Sequence, residues 1–251
     1  MLTAERRRSI LQILQRDGKV LASELKATLR VSEDTIRRDL NELAAAGQLQ
    51  RVHGGALPRS PATGSFIERQ QQAPGAKAAI AQAAVRLIRQ DQVIFLGGGT
   101  TTLHVAQQLP SDLRATAITH SPPVALALAV YPGIEVIMIG GKIYKHELVT
   151  VGVEAVEAYR NIRADICLLG IGSLHPEVGI STFDLDEASV KRAMIASSAE
   201  VVALTSADKI GTAAPYIVGP LSDLTHLVTE RSVSNEMLAP YRALGITIVL
   251  A

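Results

Sequence analysis

The chain has 251 residues, of which 47% are hydrophobic and 20% charged, with a net charge of +1. That is long for one ordinary domain, comfortable for two, and too apolar for general disorder. Near-neutrality excludes a polycation that coats nucleic acid through bulk charge, so any such binding must be local.

Residues 1–59 carry 11 Lys and Arg against 7 Asp and Glu, whereas the remainder carries 14 against 17. A small basic unit therefore precedes a larger, mildly acidic one. It contains no aromatic residue, which disfavours stacking of single-stranded bases and points to a duplex as the nucleic-acid target. Its pattern predicts three short helices and a ribbon. Thr3 is the expected N-cap of the first, with Ile10, Leu11 and Leu14 as its stripe and Gly18 as its stop. Leu21, Leu25 and Leu29 mark the second. Ser32 caps the third, where Glu33 and Asp34 suit the positive end of the helix dipole. Ile36, Leu40 and Leu43 form the apolar stripe of this third helix, which places Asp34, Arg38 and Asn41 on the far face with Thr35 and Arg37 on its flanks. Such a helix fits the major groove, where Arg reads guanine in a bidentate way and the other groups hold phosphates. A salt-bridged surface face is the competing explanation. After Gly47, the run Leu49–Val52 followed by His53-Gly54-Gly55 predicts a strand, a tight turn and a return. This is a wing that would bring Arg51, His53 and Gly54 to the DNA.

Residues 58–75 combine prolines, small polar residues and glutamines, a composition that resists packing and marks a linker. Phe66 and Ile67 are candidates to dock it on a domain. We place the boundaries at 1–57, 58–75 and 76–251.

Beyond the linker, helical segments alternate with short, continuously apolar strands, as a mostly parallel sheet covered on both faces requires. Strands are expected at 93–96, 115–119, 134–139, 166–169, 201–204, 227–228 and 246–250, and helices at 77–89, 102–109, 123–130, 187–197 and 235–244. Ligands in such sheets bind beyond the carboxyl ends of the strands. The most informative turn there is Gly97-Gly98-Gly99-Thr100-Thr101-Thr102, where glycines, free N–H groups and three hydroxyls converge at a helix start, a place for phosphate. It has neither Walker A nor G-x-G-x-x-G spacing, so ATP and NAD are disfavoured. Thr119-His120-Ser121, Gly140-Gly141-Lys142 and Gly170-Ile171-Gly172-Ser173 end further strands. Lys191 and Lys209 are either phosphate partners or solvated lysines.

The run from Val31 to Leu43 (VSEDTIRRDLNEL), Gly47, and Arg51-Val52-His53-Gly54-Gly55-Ala56 closely resemble the winged helix-turn-helix of the DeoR/GlpR family of bacterial transcriptional regulators. The likeness continues through Thr100-Thr101, Thr119 and Ser121, Gly140-Gly141, Asp165, Gly179-Ile180-Ser181 and Val190-Lys191-Arg192-Ala193-Met194. It implies an N-terminal winged helix-turn-helix and a C-terminal α/β sensor domain similar to sugar-phosphate isomerases and coenzyme A transferases. It further implies operator binding, usually as a repressor, through Ser32, Thr35, Arg37, Arg38, Asn41, Arg51, His53 and Gly54. A phosphorylated sugar or related metabolite would be the effector, held on that resemblance by Gly98, Gly99, Thr100, Thr101, Ser121 and Lys191, while Gly97, Thr119, His120, Gly140, Gly141 and Lys209 are further candidates from the turns and charges themselves. The protein would work as a homodimer or homotetramer. Gly97 stands where the family commonly has Asp, His120 where it has Asn, and Ser206-Ala207-Asp208-Lys209 reorders the usual Asp-x-Ser-Lys.

Other chemistry finds little support. The six histidines and single cysteine form no HExxH or CxxC set, so neither a metal nor another cofactor is expected. Cys167 sits in an apolar strand as packing, without an internal disulfide. Asp184, Asp186 and Glu187 suggest acid/base work or, more cheaply, a helix cap. With no leader sequence and no apolar run of about 18 residues, the expected compartment is the cytoplasm and no membrane is involved. The rival function is a sugar-phosphate isomerase or transferase, which would need a positioned base in the pocket. A metabolite-binding module whose N-terminal unit contacts proteins is a third possibility, against which the exposed Arg37 and Arg38 speak.

Overall fold

The computed structural model describes residues 2–251. At the N-terminus, α1 (Thr3–Asp17), β1 (Val20–Leu21), α2 (Ala22–Leu29), α3 (Glu33–Ala45), β2 (Gln50–Val52) and β3 (Gly55–Leu57) follow in order. Leu2, not Thr3, occupies the cap position of α1, and its backbone N–H donates to the Glu5 carboxylate at 3.1 Å. No side chain caps the first-turn N–H groups as the Thr3 hydroxyl would have done; the Glu5 carboxylate satisfies only the N–H of the cap residue itself. Gly18 ends the helix in the left-handed conformation, as predicted. Leu21 departs from the expected helical stripe: it lies in β1 and is exposed, which leaves Leu25 as the buried leucine of α2. Ile10, Leu14, Leu25, Ile36, Leu40, Leu43 and Leu49 close into one core.

The wing is a hairpin in which Val52 pairs with Gly55, so His53 and Gly54 form its tip. β3 is central, flanked by β1 and β2. A Cβ at Gly55 would sit 2.0 Å from the Val20 carbonyl oxygen, so the approach of β1 to β3 requires glycine there.

Segment 58–75 is packed despite its composition. The Pro58 carbonyl accepts from the Ala213 N–H at 3.0 Å, the Ser60 hydroxyl donates to the Gly172 carbonyl at 2.5 Å, and Phe66 is buried. Phe66–Gln70 forms α4, capped by Ser65 with Glu68 reciprocating, and α5 (Pro74–Val85) begins at Pro74. Ile67, the other expected docking residue, is 65% exposed. Local capping and a few long-range hydrogen bonds thus order a stretch whose composition alone would leave it loose.

The remainder is built on β4 (Gln92–Leu96), α6 (Thr100–Gln107), β5 (Ala115–Thr119), α7 (Pro122–Leu128), β6 (Ile134–Met138), β7 (Lys142–Tyr144), β8 (Val149–Val151), α8 (Val153–Arg160), β9 (Ala164–Gly170), β10 (Ser173–His175), β11 (Gly179–Thr182), α9 (Leu185–Ala196), β12 (Ser198–Leu204), β13 (Tyr216–Gly219), β14 (His226–Thr229), α10 (Asn235–Ala243) and β15 (Thr247–Leu250). Seven strands form a parallel sheet in the order β15-β14-β12-β9-β4-β5-β6. Alternate residues feed two cores: Ile94, Leu96, Ile166 and Leu168 face α5, α6 and α7, whereas Phe95, Cys167 and Leu169 face α8, α9 and α10. Burial on both faces explains why these strands read as apolar without alternation. The antiparallel pair β7–β8 and the small sheet β10-β11-β13 were not foreseen, nor was α8. All are short, and their patterns are too brief to carry a period.

Chain order reverses between β4 and β9: β5 and β6 lie to one side, β12, β14 and β15 to the other. This switch point opens a crevice at the carboxyl ends of the central strands.

Candidate functional site

A narrow cavity occupies that crevice. Its floor is Gly98, Gly99, Thr100 and Thr101 after β4 and Gly170 after β9. Close approach of the two strand ends requires the glycines: a Cβ at Gly170 would meet the Gly98 carbonyl oxygen at 2.8 Å, and one at Gly98 would meet Val149 Cγ1 at 2.2 Å. Helix α6 starts at Thr100, two residues earlier than expected, with Gly99 as its cap at φ 112°. The earlier start removes one of the three hydroxyls, because Thr102 Oγ1 is buried and donates to the Gly99 carbonyl at 2.8 Å. Thr100 and Thr101 remain on the cavity wall, where the first N–H groups of the helix have no intrahelical partner.

Charged side chains complete the walls. Lys191 and Lys209 line the cavity, as do Arg69, Glu147 and Glu187, which had not been singled out for the site. Lys191 Nζ lies 2.8 Å from Glu187 Oε1, and Thr182 Oγ1 donates to Glu187 Oε2 at 2.5 Å. Burial opposes ionisation of Glu187, yet Lys191 and the Thr182 hydroxyl hold its carboxyl below the usual range. Arg69 pairs with Glu147, and its Nε donates to the Gly64 carbonyl at 2.8 Å. Burial and the nearby Glu187 push the Glu147 carboxyl up. Burial, with Arg69 close by, lowers the Lys209 ammonium to about 8. The cavity adjoins a wider chamber that shares Arg69, Thr100 and Lys209 and adds Lys77, Asp208 and Glu230. Cations on three separate elements converging on a helix N-terminus favour an anion. The Glu187 signal was present in the sequence as an i, i+4 partner of Lys191. Arg69 lay in a stretch assigned to the linker.

The other candidates lie outside the cavity lining. Gly97 is buried where β4 meets Leu168 and Leu169, so its role there is packing. Thr119, His120 and Ser121 are fully buried behind the floor. His120 Nδ1 and the Tyr159 hydroxyl share a hydrogen bond of 2.9 Å, and burial pushes the imidazole down to about 4, so it is neutral. The Ser121 N–H donates to Thr119 Oγ1 at 3.1 Å. Gly140 and Gly141 are exposed at the end of β6. Asp184 is the cap of α9 and accepts from the Glu187 N–H at 2.8 Å, which settles its reading in favour of capping.

In the N-terminal unit, Ser32 caps α3 as expected, accepting from the Thr35 N–H at 3.2 Å and sharing a 2.8 Å hydrogen bond with the Thr35 hydroxyl. Arg37, Arg38 and Asn41 are exposed, as are His53 and Gly54 at the hairpin tip, while Arg51 is half-buried. One buried group carries no mark in the sequence pattern. Asp39 faces inward from α3 and receives Arg6 Nε at 2.5 Å and Arg7 Nε at 3.0 Å, while Arg7 also reaches Glu42. Burial opposes its charge, but the two arginines keep the carboxyl below its ordinary range. Two of the unit's eleven basic residues, Arg6 and Arg7, thus fix α3 against α1 and cannot be counted toward DNA on charge alone.

Among the described residues no cluster of His, Cys, Asp and Glu fits a metal ion, and no helix is long and apolar enough to cross a membrane.

Comparison with known proteins agrees with this two-part organisation. Residues 6–61 match a family model described as a DeoR-like helix-turn-helix domain, and residues 72–231 match one described as a DeoR C-terminal sensor domain. The HTH-type transcriptional regulator GlpR of Haloferax volcanii is 32% identical, over 99% of this chain and 98% of its own. The putative aga operon transcriptional repressor of Escherichia coli O157:H7 is 29% identical over 99% and 94%. The glycerol-3-phosphate regulon repressor of E. coli K12 is 29% identical over 92% of each chain.

Proposed function

The chain belongs to the DeoR family of transcriptional regulators, and from that footing we propose that it represses a carbohydrate-metabolism operon under the control of a phosphorylated sugar or related metabolite. It is a DNA-binding regulator and not an enzyme, in keeping with relatives that are named regulators and repressors. The observation that carries the effector assignment is the cavity, in which Lys191 and Lys209 flank the start of α6 beside Thr100 and Thr101. The phosphate would sit on the N–H groups of Gly99 to Thr101, and the polyol would extend toward Asp208 and Glu230. A regulon named for glycerol 3-phosphate in one relative supports this class of ligand.

On the DNA side, α3 would enter the major groove with Arg37, Arg38 and Asn41 reading bases or phosphates, Ser32 and Thr35 at its N-terminus, and Arg51, His53 and Gly54 of the wing on the backbone. One recognition helix provides little specific contact, so a homodimer or homotetramer would present paired helices to an operator. The domain limits that fit this division of labour are 1–57 and 76–251, with 58–75 between them. The effector regulates only through a difference in affinity for two states of the protein.

The test combines selection of duplexes from fragmented genomic DNA with ligand-dependent melting across a panel of sugar phosphates. We expect one preferred sequence, and a shift in its affinity on adding the compound that raises the melting temperature most. Retention of DNA without sequence preference, or turnover of a sugar phosphate, would overturn the assignment.

A further inference from the structure

One side chain, Arg59, touches both the cavity lining and the turn that ends α3. Phe183 lines the cavity. The Arg59 guanidinium carbon lies 5.8 Å from the centre of the Phe183 ring. The same guanidinium also lies against Gly47, where a Cβ would be 2.6 Å from Arg59 Nη1. Gly47, at φ 71°, makes the turn that ends α3, and its N–H donates to the Ala44 carbonyl at 2.9 Å. The Gln48 N–H likewise donates to the Leu43 carbonyl at 2.9 Å. The residue next to Arg59 is anchored to the cavity as well, since Ser60 donates to the carbonyl of Gly172, another lining residue. The backbone of Arg59 is pinned by its bridge to Ala213, which fixes the point from which its side chain reaches these two contacts.

A second contact runs in parallel. Both roots of the β10–β11 hairpin, Gly172 and Thr182, line the cavity, while Glu177 near its tip holds Lys19 of the N-terminal unit at 2.6 Å. Both partners are exposed, which makes this bridge a weak guide and not a clamp.

We propose that Arg59 is the positioning residue through which the state of the cavity reaches the recognition helix, by stacking on Phe183 and bracing the Gly47 turn. This rests on the functional reading above and adds to it the route of regulation. An occupant that shifts Phe183 removes the face on which Arg59 rests, and the turn that fixes the end of α3 is freed or held accordingly. The forked guanidinium is essential to the geometry, because it reaches Gly47 with Nη1 while lying over the Phe183 ring, and a lysine ammonium is a single point that cannot hold both contacts.

The test needs neither effector nor operator. In the full chain, amide hydrogen exchange at Gly47 and Gln48 is measured for wild type, Phe183→Leu, Arg59→Ala and the double variant, with exchange in β9 as the control for global stability. Phe183→Leu is expected to speed exchange at the turn by about threefold or more in the wild-type background and by much less in the Arg59→Ala background. Arg59→Lys should behave as Arg59→Ala does, and it carries the test if the alanine variant fails to fold. Additive effects of the two substitutions, no response at the turn to Phe183→Leu, or wild-type behaviour of Arg59→Lys would each overturn the proposal. Because no DNA is present, such a failure leaves the regulator assignment standing, whereas loss of sequence-selective DNA binding in the selection experiment would defeat that assignment separately.

Discussion

Lys191 Nζ and Glu187 Oε1 meet at 2.8 Å on successive turns of α9, both side chains almost wholly removed from solvent at the edge of the cavity. The pair turns a carboxylate that would repel a phosphate into the support that keeps Lys191 in place. Lys191→Met should destabilise the fold by about 3–5 kcal/mol by stranding Glu187. The sign of the pH dependence follows. In the wild type the Glu187 carboxyl is held low, so its contribution is present above the unfolded carboxylate range and fades on acidification. In the variant, burial without the cation raises the same carboxyl, and the deficit relative to wild type should shrink as pH falls from 7 toward 5. Urea unfolding at several pH values measures this; a deficit that stays constant would show that Glu187 does not titrate as described.

His120 makes a separate contribution to acid sensitivity. Its folded pKa, depressed to about 4 by burial, lies below that of the unfolded chain. The stability it contributes is therefore complete above about pH 6.5 and is lost as pH falls from there toward 4. The slope should reach about 1.4 kcal/mol per pH unit. His120→Asn, which can still bond the Tyr159 hydroxyl, should abolish that component, seen as a flatter stability curve between pH 6.5 and 4 in urea titrations.

Lys209 predicts how anion binding responds to alkali. Its ammonium loses its proton near pH 8 in the free protein, and a bound phosphate would raise that value. Binding of the sugar phosphate with the largest melting shift should weaken as pH rises through 8 and should take up protons near that pH. Calorimetry in buffers of different ionisation enthalpy reads the uptake, and Lys209→Met should remove both effects.

Arg38 and Asp39 are neighbours in sequence with opposite assignments. Arg38→Ala removes an exposed side chain, so stability should change by less than about 0.5 kcal/mol while selectivity for the preferred duplex falls. Asp39→Ala leaves Arg6 without its carboxylate in a buried place and should cost about 3 kcal/mol or more. Thermal melts and competition binding on both variants separate them. Retained selectivity in Arg38→Ala would take that residue out of base readout.

Much of this was legible in the sequence because it is local. Ser32 announced its cap, Gly18 its helix end, and the apolar strands their burial on both faces. The Gly98 to Thr101 turn could be read because a strand, glycines and a helix start follow one another without interruption. What escaped depended on distance along the chain. Arg69 meets Glu147, and Asp39 meets Arg6, only after folding, and nothing in their own neighbourhoods marks them. The segment around Ser60 and Phe66 misled for the same reason: its composition is that of a linker, and its partners at Gly172, Ala213 and His146 lie far downstream. Thr102 shows the limit of a motif, since a two-residue difference in the helix start turned its hydroxyl inward.

The lone cysteine is sealed in the middle of β9, its thiol driven up to about 12 by burial. The folded protein therefore has no accessible thiolate for peroxide, disulfide exchange or alkylating agents to attack. Thiol oxidation would have to unfold the sheet before it could reach this cysteine, whereas the exposed thioethers of Met138 and Met237 remain open to sulfoxide formation. The same seal makes the wild-type chain a ready background for labelling, because a cysteine introduced at the wing tip would be its single reactive one.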